Sequence, residues 1–294
     1  MDDPFLREMF TEEELVDYTK QLELNKNTGK ELIFIETDLH LSSATSFSQY
    51  IYSNVRLITM IGELHNVKFT CGGSSVSVAE YCMMALQRNP KCIVMLEFGL
   101  QTDPTSVNSA NIVETYKLLS QSNFTSQIAP FDMRPFFLTQ SVQNELYSDR
   151  YNRYDHKGVF DTFISPFYTK WRENPTIFSI GSNYKPEAGR YLAEQYFVDM
   201  KTTFDVIAAE VNAGIPLKDV HLKLEHAWKK VSDYFILTML LRIDGNDECI
   251  ILLGEEHRSN IEKILRSFPD MLTLGTQSNK KQSDCVTLFS TYLL

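Results

Sequence analysis

Three apolar runs organise the chain: RLITMIG (Arg56 to Gly62), KCIVMLE (Lys91 to Glu97) and ECIILLG (Glu248 to Gly254). Each is uncharged across its centre, shorter than an ordinary helix and rich in Ile, Val or Leu. That pattern reads as a strand buried on both faces. After the first run, Cys71-Gly72-Gly73-Ser74-Ser75 reads as a loop. A helix is predicted from about Val76 to Gln87, with Ser77 and Glu80 spaced as a capping box and Pro90 just past its end. A second helix is predicted over NIVETYKLLSQ (Asn111 to Gln121), and a short strand, SQIAPFD, ends at Asp132. Strands alternating with helices predict right-handed βαβ units and an α/β fold, a mainly parallel sheet flanked by helices.

The period then changes. Leu192, Tyr196, Phe197, Met200, Phe204, Ile207 and Val211 recur at helical spacing, as do Leu224, Trp228, Val231, Phe235 and Met239. Asn212-Ala213-Gly214-Ile215-Pro216 separates them as a helix stop. The expected organisation is a single α/β domain over residues 1–294 with a helical insert or cap at about 136–242. ECIILLG then returns to the sheet, followed by a helix around Ile261 to Ser267 and two short apolar runs near Leu272 and Val286. ELIFIETDLHLS, at 31–42, is expected to add a strand or hairpin arm.

The formal net charge of −10 comes from acidic residues spread along the chain, without the basic stripe of a nucleic-acid binder. Nucleic acid is not an expected partner. The greasiest run, Tyr234 to Leu241, is far shorter than the roughly 20 residues of a membrane span. The acidic opening MDDPFLREMFTEEELVDYTK lacks an apolar signal core, so a cytoplasmic protein is expected. The five cysteines are odd in number and show no Cys-x-x-Cys spacing, so all five are expected as reduced thiols.

The ends of the apolar runs carry the chemistry. Gly62, Glu63 and His65 close the first, Glu97 the second, and Gly254, Glu255 and His257 the third, while Asp132 ends the short strand. In a parallel sheet the carboxyl ends share one edge, where ligands bind. Gly62 and Gly254 are read as permitting a tight turn and a close approach. Two imidazoles and a carboxylate, His65, His257 and Glu97, form a common ligand set for a divalent metal ion that keeps an open position. Glu63, or its counterpart Glu255, would then serve as general base. Against this stands the plain alternative of strand-end histidines satisfied by the backbone. Two such motifs with a strand-ending Glu between them tip the balance toward a site.

The other histidines read as structural. His221 and His226 are five apart and face different sides of a helix, and His156 lies in a polar loop. His40, ending an alternating run, is the one further candidate ligand. There is no helical His-Glu-x-x-His, no nucleophile elbow, no dinucleotide fingerprint, and no lysine after the Cys71 to Ser75 loop to make it a phosphate loop.

GELHN (Gly62 to Asn66) resembles the Gly-Glu-x-His-Asp/Asn signature of ChaN-like proteins. The wider pattern resembles the superfamily uniting erythromycin esterases, ChaN-like haem-binding lipoproteins and TraB/Tiki proteins, with paired Gly-x-x-His motifs, a Glu between them and a later Arg. Those positions fall on Gly62 and His65, Glu97, Arg134, and Gly254 and His257. The resemblance implies an α/β fold with a strand-end site for ester hydrolysis, metal-dependent peptide cleavage or haem binding. Erythromycin esterases space Glu and His one residue further apart than Glu63 and His65, and the lipoprotein signal expected of a ChaN protein is missing. The favoured expectation is a metal-dependent hydrolase of an ester, amide or peptide bond in a small molecule or peptide. Its residues would be Glu63, His65, Glu97, Arg134 and His257. The rivals are a catalytically inactive structural or scaffold protein, such as a large virus would use, and a haem or metal-ion carrier. The many Tyr and Phe residues suit the scaffold reading.

Overall fold

The computed structural model describes residues 32–52, 56–63, 71, 75–99, 102–107, 109–175, 187–241, 248–268, 271–278 and 286–293. They form a mixed α/β fold in which a mostly parallel six-stranded sheet is flanked by helices. The strands are β1 (Leu32–Ser42), β2 (Ser46–Tyr52), β3 (Arg56–Glu63), β4 (Ser75–Ser77), β5 (Ile93–Gly99), β6 (Ile128–Asp132), β7 (Glu248–Gly254), β8 (Met271–Ser278) and β9 (Val286–Leu293). The larger sheet has the order β6-β5-β7-β3-β2-β8, and a second sheet the order β4-β1-β9. β3 and β7 run parallel, and β2 pairs antiparallel with both β3 and β8.

The three apolar runs all become strands. β3 and β7 are buried at every position, as unbroken hydrophobic strings demand. β2 was not legible in the same way. Its sequence, SFSQYIY, carries Ser46, Ser48 and Gln49, yet every one of its residues is buried.

Helix α1 (Val78–Arg88) begins at the expected box: Glu80 N donates to Ser77 Oγ at 3.1 Å, and Ser77 N donates to Glu80 Oε2 at 2.7 Å. Two orphan amides are satisfied at once. At its other end Arg88 pairs with the buried Glu248 at the start of β7, at 2.5 Å. Helix α2 (Ala110–Gln121) covers the second predicted helix.

By internal contacts the chain divides into two compact units. The first comprises Met1–Met95, Asn108–Ile128 and Gly245–Leu294; the second comprises Leu96–Val107 and Ala129–Asp244. The boundary passes through β5 and β6 themselves.

The second unit is mainly helical: α3 (Arg134–Phe137), α4 (Gln140–Leu146), α5 (His156–Val159), α6 (Ser165–Glu173), α7 (Glu187–Asn212) and α8 (Leu217–Leu241). Its core is aromatic. Phe167 stacks on Phe204 at 4.1 Å, Trp228 meets Phe204 edge-on at 5.2 Å, and Phe137 leans on Trp228 at 5.6 Å. Trp228 is fully buried and donates its indole N–H to Phe163 O at 3.0 Å, so its one polar atom is satisfied. Between α7 and α8, Gly214 takes φ +74°, the left-handed conformation that ends a helix. His221 and His156 are tied to the backbone carbonyls of Leu146 and Ile215 at 2.6 and 2.8 Å. Both are structural, His156 through a tertiary bond rather than as a solvated loop residue.

Cys82, Cys92 and Cys249 are free and buried, and burial pushes the Cys82 thiol up to about 12. Cys71, however, is disulfide-bonded, which corrects the expectation of five thiols. Among the described residues, no helix is long and apolar enough to cross a membrane.

Candidate functional site

The paired register of β3 and β7 sets Gly62 opposite Leu253 and Glu63 opposite Gly254. The two Gly-Glu steps therefore lie side by side at the carboxyl ends of neighbouring parallel strands. Glu63 is 1% exposed. Ser109 Oγ donates to Glu63 Oε1 at 2.5 Å, and the same Oγ accepts from Ile112 N at 3.2 Å as the N-cap of α2. One hydroxyl both caps the helix and holds the carboxylate, which lies where the helix dipole favours an anion.

β7 ends differently. Gly254 is the N-cap of α9 (Glu255–Arg266), so Glu255 and His257 fall in the first turn of a helix rather than in a loop. The sequence predicted that helix only from about Ile261. His257 is 6% exposed and shares the buried stripe of Ile261 and Leu265, four residues apart each time.

Glu255 is a structural carboxylate. Arg258 binds it through Nε at 3.0 Å and Nη2 at 2.7 Å, Thr45 Oγ1 donates to it at 3.2 Å, and Ser46 Oγ donates to the same Oε2. Arg258 also donates to Ser48 Oγ at 3.0 Å and pairs with Glu262. Glu262 in turn accepts from Tyr50 Oη at 3.0 Å and from Arg266 at 2.9 Å. This ladder along α9 is why the polar strand β2 can be buried: its serines and Tyr50 face charges that need partners.

Gly62 belongs to the same arrangement. A Cβ there would overlap the Glu255 carboxylate and Ser46 Oγ and would meet Arg258 Cδ at 2.9 Å. The expectation of a tight turn is thereby corrected. β3 runs through Gly62 to Glu63, and the missing side chain makes room for Glu255.

In the second unit, Glu97 at the end of β5 accepts from Arg134 Nη2 at 3.2 Å. Arg134 also grips Asp132, through Nε at 2.8 Å and through its backbone N–H at 3.0 Å, and Ser232 of α8 donates to Asp132 at 3.2 Å. Burial alone would disfavour the guanidinium charge, but the carboxylates of Asp132 and Glu97 outweigh it and raise the Arg134 pKa well above the ordinary arginine value. Gly99 is packed tightly as well: a Cβ would meet Pro135 Cγ at 2.6 Å and Thr102 Oγ1 at 2.7 Å.

Of the expected site residues, Glu63 and His257 belong to the first unit, and Glu97 and Arg134 are paired within the second. His65 lies outside the described residues, and the pairing of His65 with His257 lies there with it. Among the described residues, no group of three His, Cys, Asp or Glu side chains is arranged to hold a metal ion. Glu97 is already paired through Oε1 with the Arg134 guanidinium. Comparison with protein-family models, curated proteins and solved structures returned no match.

Two residues of the arrangement escaped the sequence reading. Arg258 was visible as one step of a charge ladder, Glu255, Arg258, Glu262 and Arg266, at spacings of three and four. Ser109 was legible only as a residue before a helix; nothing in the sequence ties it to Glu63, 46 positions earlier.

Proposed function

We propose that this chain is a hydrolase of an ester, amide or peptide bond, with Glu63 as its general base at the carboxyl ends of β3 and β7. The observation that carries the reading is the register. Two Gly-Glu-x-His motifs, far apart in sequence, end neighbouring parallel strands with Glu63 opposite Gly254. A carboxylate already fixed by Ser109 needs little reorganisation to take a proton from water as the water oxygen attacks a carbonyl carbon. The proton then passes to the departing alcohol or amine. His257, in the first turn of α9, is the second acid-base group on this edge. The family pattern would add His65, and a divalent metal would be held by His65 and His257.

The inactive reading has its own observation. Glu63, Glu97 and His257 are each at least nine-tenths buried, as polar groups that only hold a fold would be. One experiment separates the two. A panel of p-nitrophenyl esters and short peptides is assayed with parent protein and with Glu63→Gln, each with and without chelator. Hydrolysis that falls roughly 10²- to 10⁴-fold in the variant supports the proposal. No turnover by metal-supplemented parent, or equal turnover in the variant, overturns it.

A further inference from the structure

Asn123-Phe124-Thr125 has the form Asn-x-Thr with x other than proline, the acceptor signature for an N-linked oligosaccharide. Such a triplet carries weight only in context, because a bulky glycan fits nowhere but an exposed loop. The context is present. α2 ends at Gln121, and Asn123 follows with φ +65°. Phe124 N donates to Leu119 O at 2.9 Å and Asn123 N to Ser120 O at 3.4 Å, the two bonds of a Schellman turn. That turn accounts for the Asn123 backbone, since Asn enters the left-handed region more readily than most residues with a Cβ. It leaves the side chain outside. Asn123 and Thr125 are both exposed, and neither side chain makes a hydrogen bond among the described residues.

The chain holds its own contrast. The other Asn-x-Thr triplet, Asn174-Pro175-Thr176, has the central proline that the signature forbids. Asn174 Nδ2 is moreover engaged, donating to Lys170 O at 3.2 Å. A further observation bears on surroundings. Cys71 is disulfide-bonded, and disulfides form in secreted chains and the oxidising lumen through which they pass, not in the reducing cytosol. Secreted chains are also those on which the Asn-x-Thr signature is read.

We propose that Asn123 is an acceptor site for one N-linked oligosaccharide. The donor is a lipid-linked oligosaccharide pyrophosphate. Asn123 Nδ2 attacks the anomeric carbon of the first sugar, so that a C–N bond forms and the C–O bond to the pyrophosphate breaks. The lipid pyrophosphate leaves with the bonding pair, and the proton that the carboxamide loses balances its new charge. Thr125 supplies the hydroxyl that the signature requires two positions on. α2 has 12 residues, so its ends lie about 18 Å apart. Ser109 caps the first end and holds Glu63, whereas Asn123 follows the last. The glycan is therefore rooted at the end of α2 remote from the proposed base, and the site does not depend on that base being one.

The test produces the full chain in a eukaryotic host behind a cleavable secretory leader. Intact mass should exceed that of the sequence by one oligosaccharide. Peptide N-glycosidase should remove the excess and leave aspartate at position 123, which peptide mapping reads directly. Thr125→Ala should abolish the modification while Asn123 and its turn remain, and Thr125→Ser should keep it. Asn123→Gly retains the left-handed turn and should also abolish it. A parent that leaves this route unmodified overturns the proposal. So does carbohydrate that survives Thr125→Ala, or a glycan mapped to any other asparagine. Should a variant not fold, the peptide map of the parent before and after the glycosidase still decides.

Discussion

The chain carries Gly-Glu-x-His twice, at 62–65 and 254–257, and the two glutamates have different surroundings. In the first, Glu63 is the last residue of a strand and accepts from the hydroxyl of Ser109. In the second, Glu255 opens a helix and is gripped by Arg258, Thr45 and Ser46. A hydroxyl donor leaves the carboxylate's charge unneutralised. A carboxylate inside an ion-pair ladder has its charge spent on packing. Similar four-residue signals thus give one candidate base and one structural anchor, and Arg258, one residue beyond the second motif, is what anchors Glu255.

The sharpest way to break the comparison is to remove that arginine. Arg258→Leu leaves Glu255 with the hydroxyls of Thr45 and Ser46 and Glu262 with Tyr50 and Arg266, and should cost about 3–5 kcal/mol, the usual penalty for breaking a buried ion pair from one side. Urea unfolding with far-UV circular dichroism measures it, and a loss below about 1 kcal/mol would mean the ladder is solvated. Acid probes the same ladder. Burial alone would raise the Glu262 carboxyl, but Arg258, Tyr50 and Arg266 outweigh it and hold it below its ordinary value of 4.5. A depressed folded-state pKa means stability is fully present above pH 4.5 and is lost as pH falls through the folded value. The parent should therefore weaken on acidification below that point, and Arg258→Leu, lacking the charge that depresses Glu262, should weaken less steeply.

Gly62→Ala comes next. The new methyl must displace the Glu255 carboxylate or Ser46 on the strand that carries Glu63, at a cost of about 2–3 kcal/mol. Combining it with Arg258→Leu should give less than the sum, because both disturb one network. Full additivity in a double-mutant cycle would place Gly62 outside the ladder.

How far the sequence foresaw all this depends on the range of the forces involved. The strands at 56–63, 93–99 and 248–254, the Ser77 capping box and the helix stop at Gly214 rest on neighbours within a few residues, and all were legible. β2 was not. Ser46 and Ser48 look solvent-facing until α9, more than 200 positions later, supplies Glu255 and Arg258. The start of α9 is hidden for a related reason: Glu255-Glu256-His257 reads as chemistry after a strand, although two acids suit the first turn of a helix. Charge and a place at a strand end mark Glu97 as a candidate ligand. Its partner Arg134 was already among the candidates, but nothing local showed that the two would pair.

Ser109→Ala tests the other side of the comparison. It removes the cap of α2 together with the donor to Glu63, and should cost about 1–2 kcal/mol. Ser109→Thr keeps a hydroxyl and should recover most of it. Failure of Thr to recover stability in thermal melts would show that the position matters for its size rather than for its hydrogen bonds.

The smallest effect on stability is expected from the substitution that tests the proposed base. Glu63→Gln keeps the shape of the side chain and leaves a carbonyl oxygen that can still accept from Ser109, so stability should change by less than about 1 kcal/mol. Glu255→Gln has the same chemistry and the opposite consequence. It removes the negative charge that answers Arg258, and should lower stability by about 1.5–3 kcal/mol, the range for hydrogen bonds to charged groups. If Glu63 is the base, turnover separates the pair in reverse. Glu63→Gln should slow hydrolysis by roughly 10²- to 10⁴-fold at unchanged melting temperature. Glu255→Gln should reduce it only in proportion to the fraction unfolded. Measured side by side, the four values form a crossed pattern that neither a purely structural pair of glutamates nor a purely catalytic pair can produce. Two variants that lose stability equally would erase the distinction between the motifs, and Glu63 would then be a second anchor rather than a base.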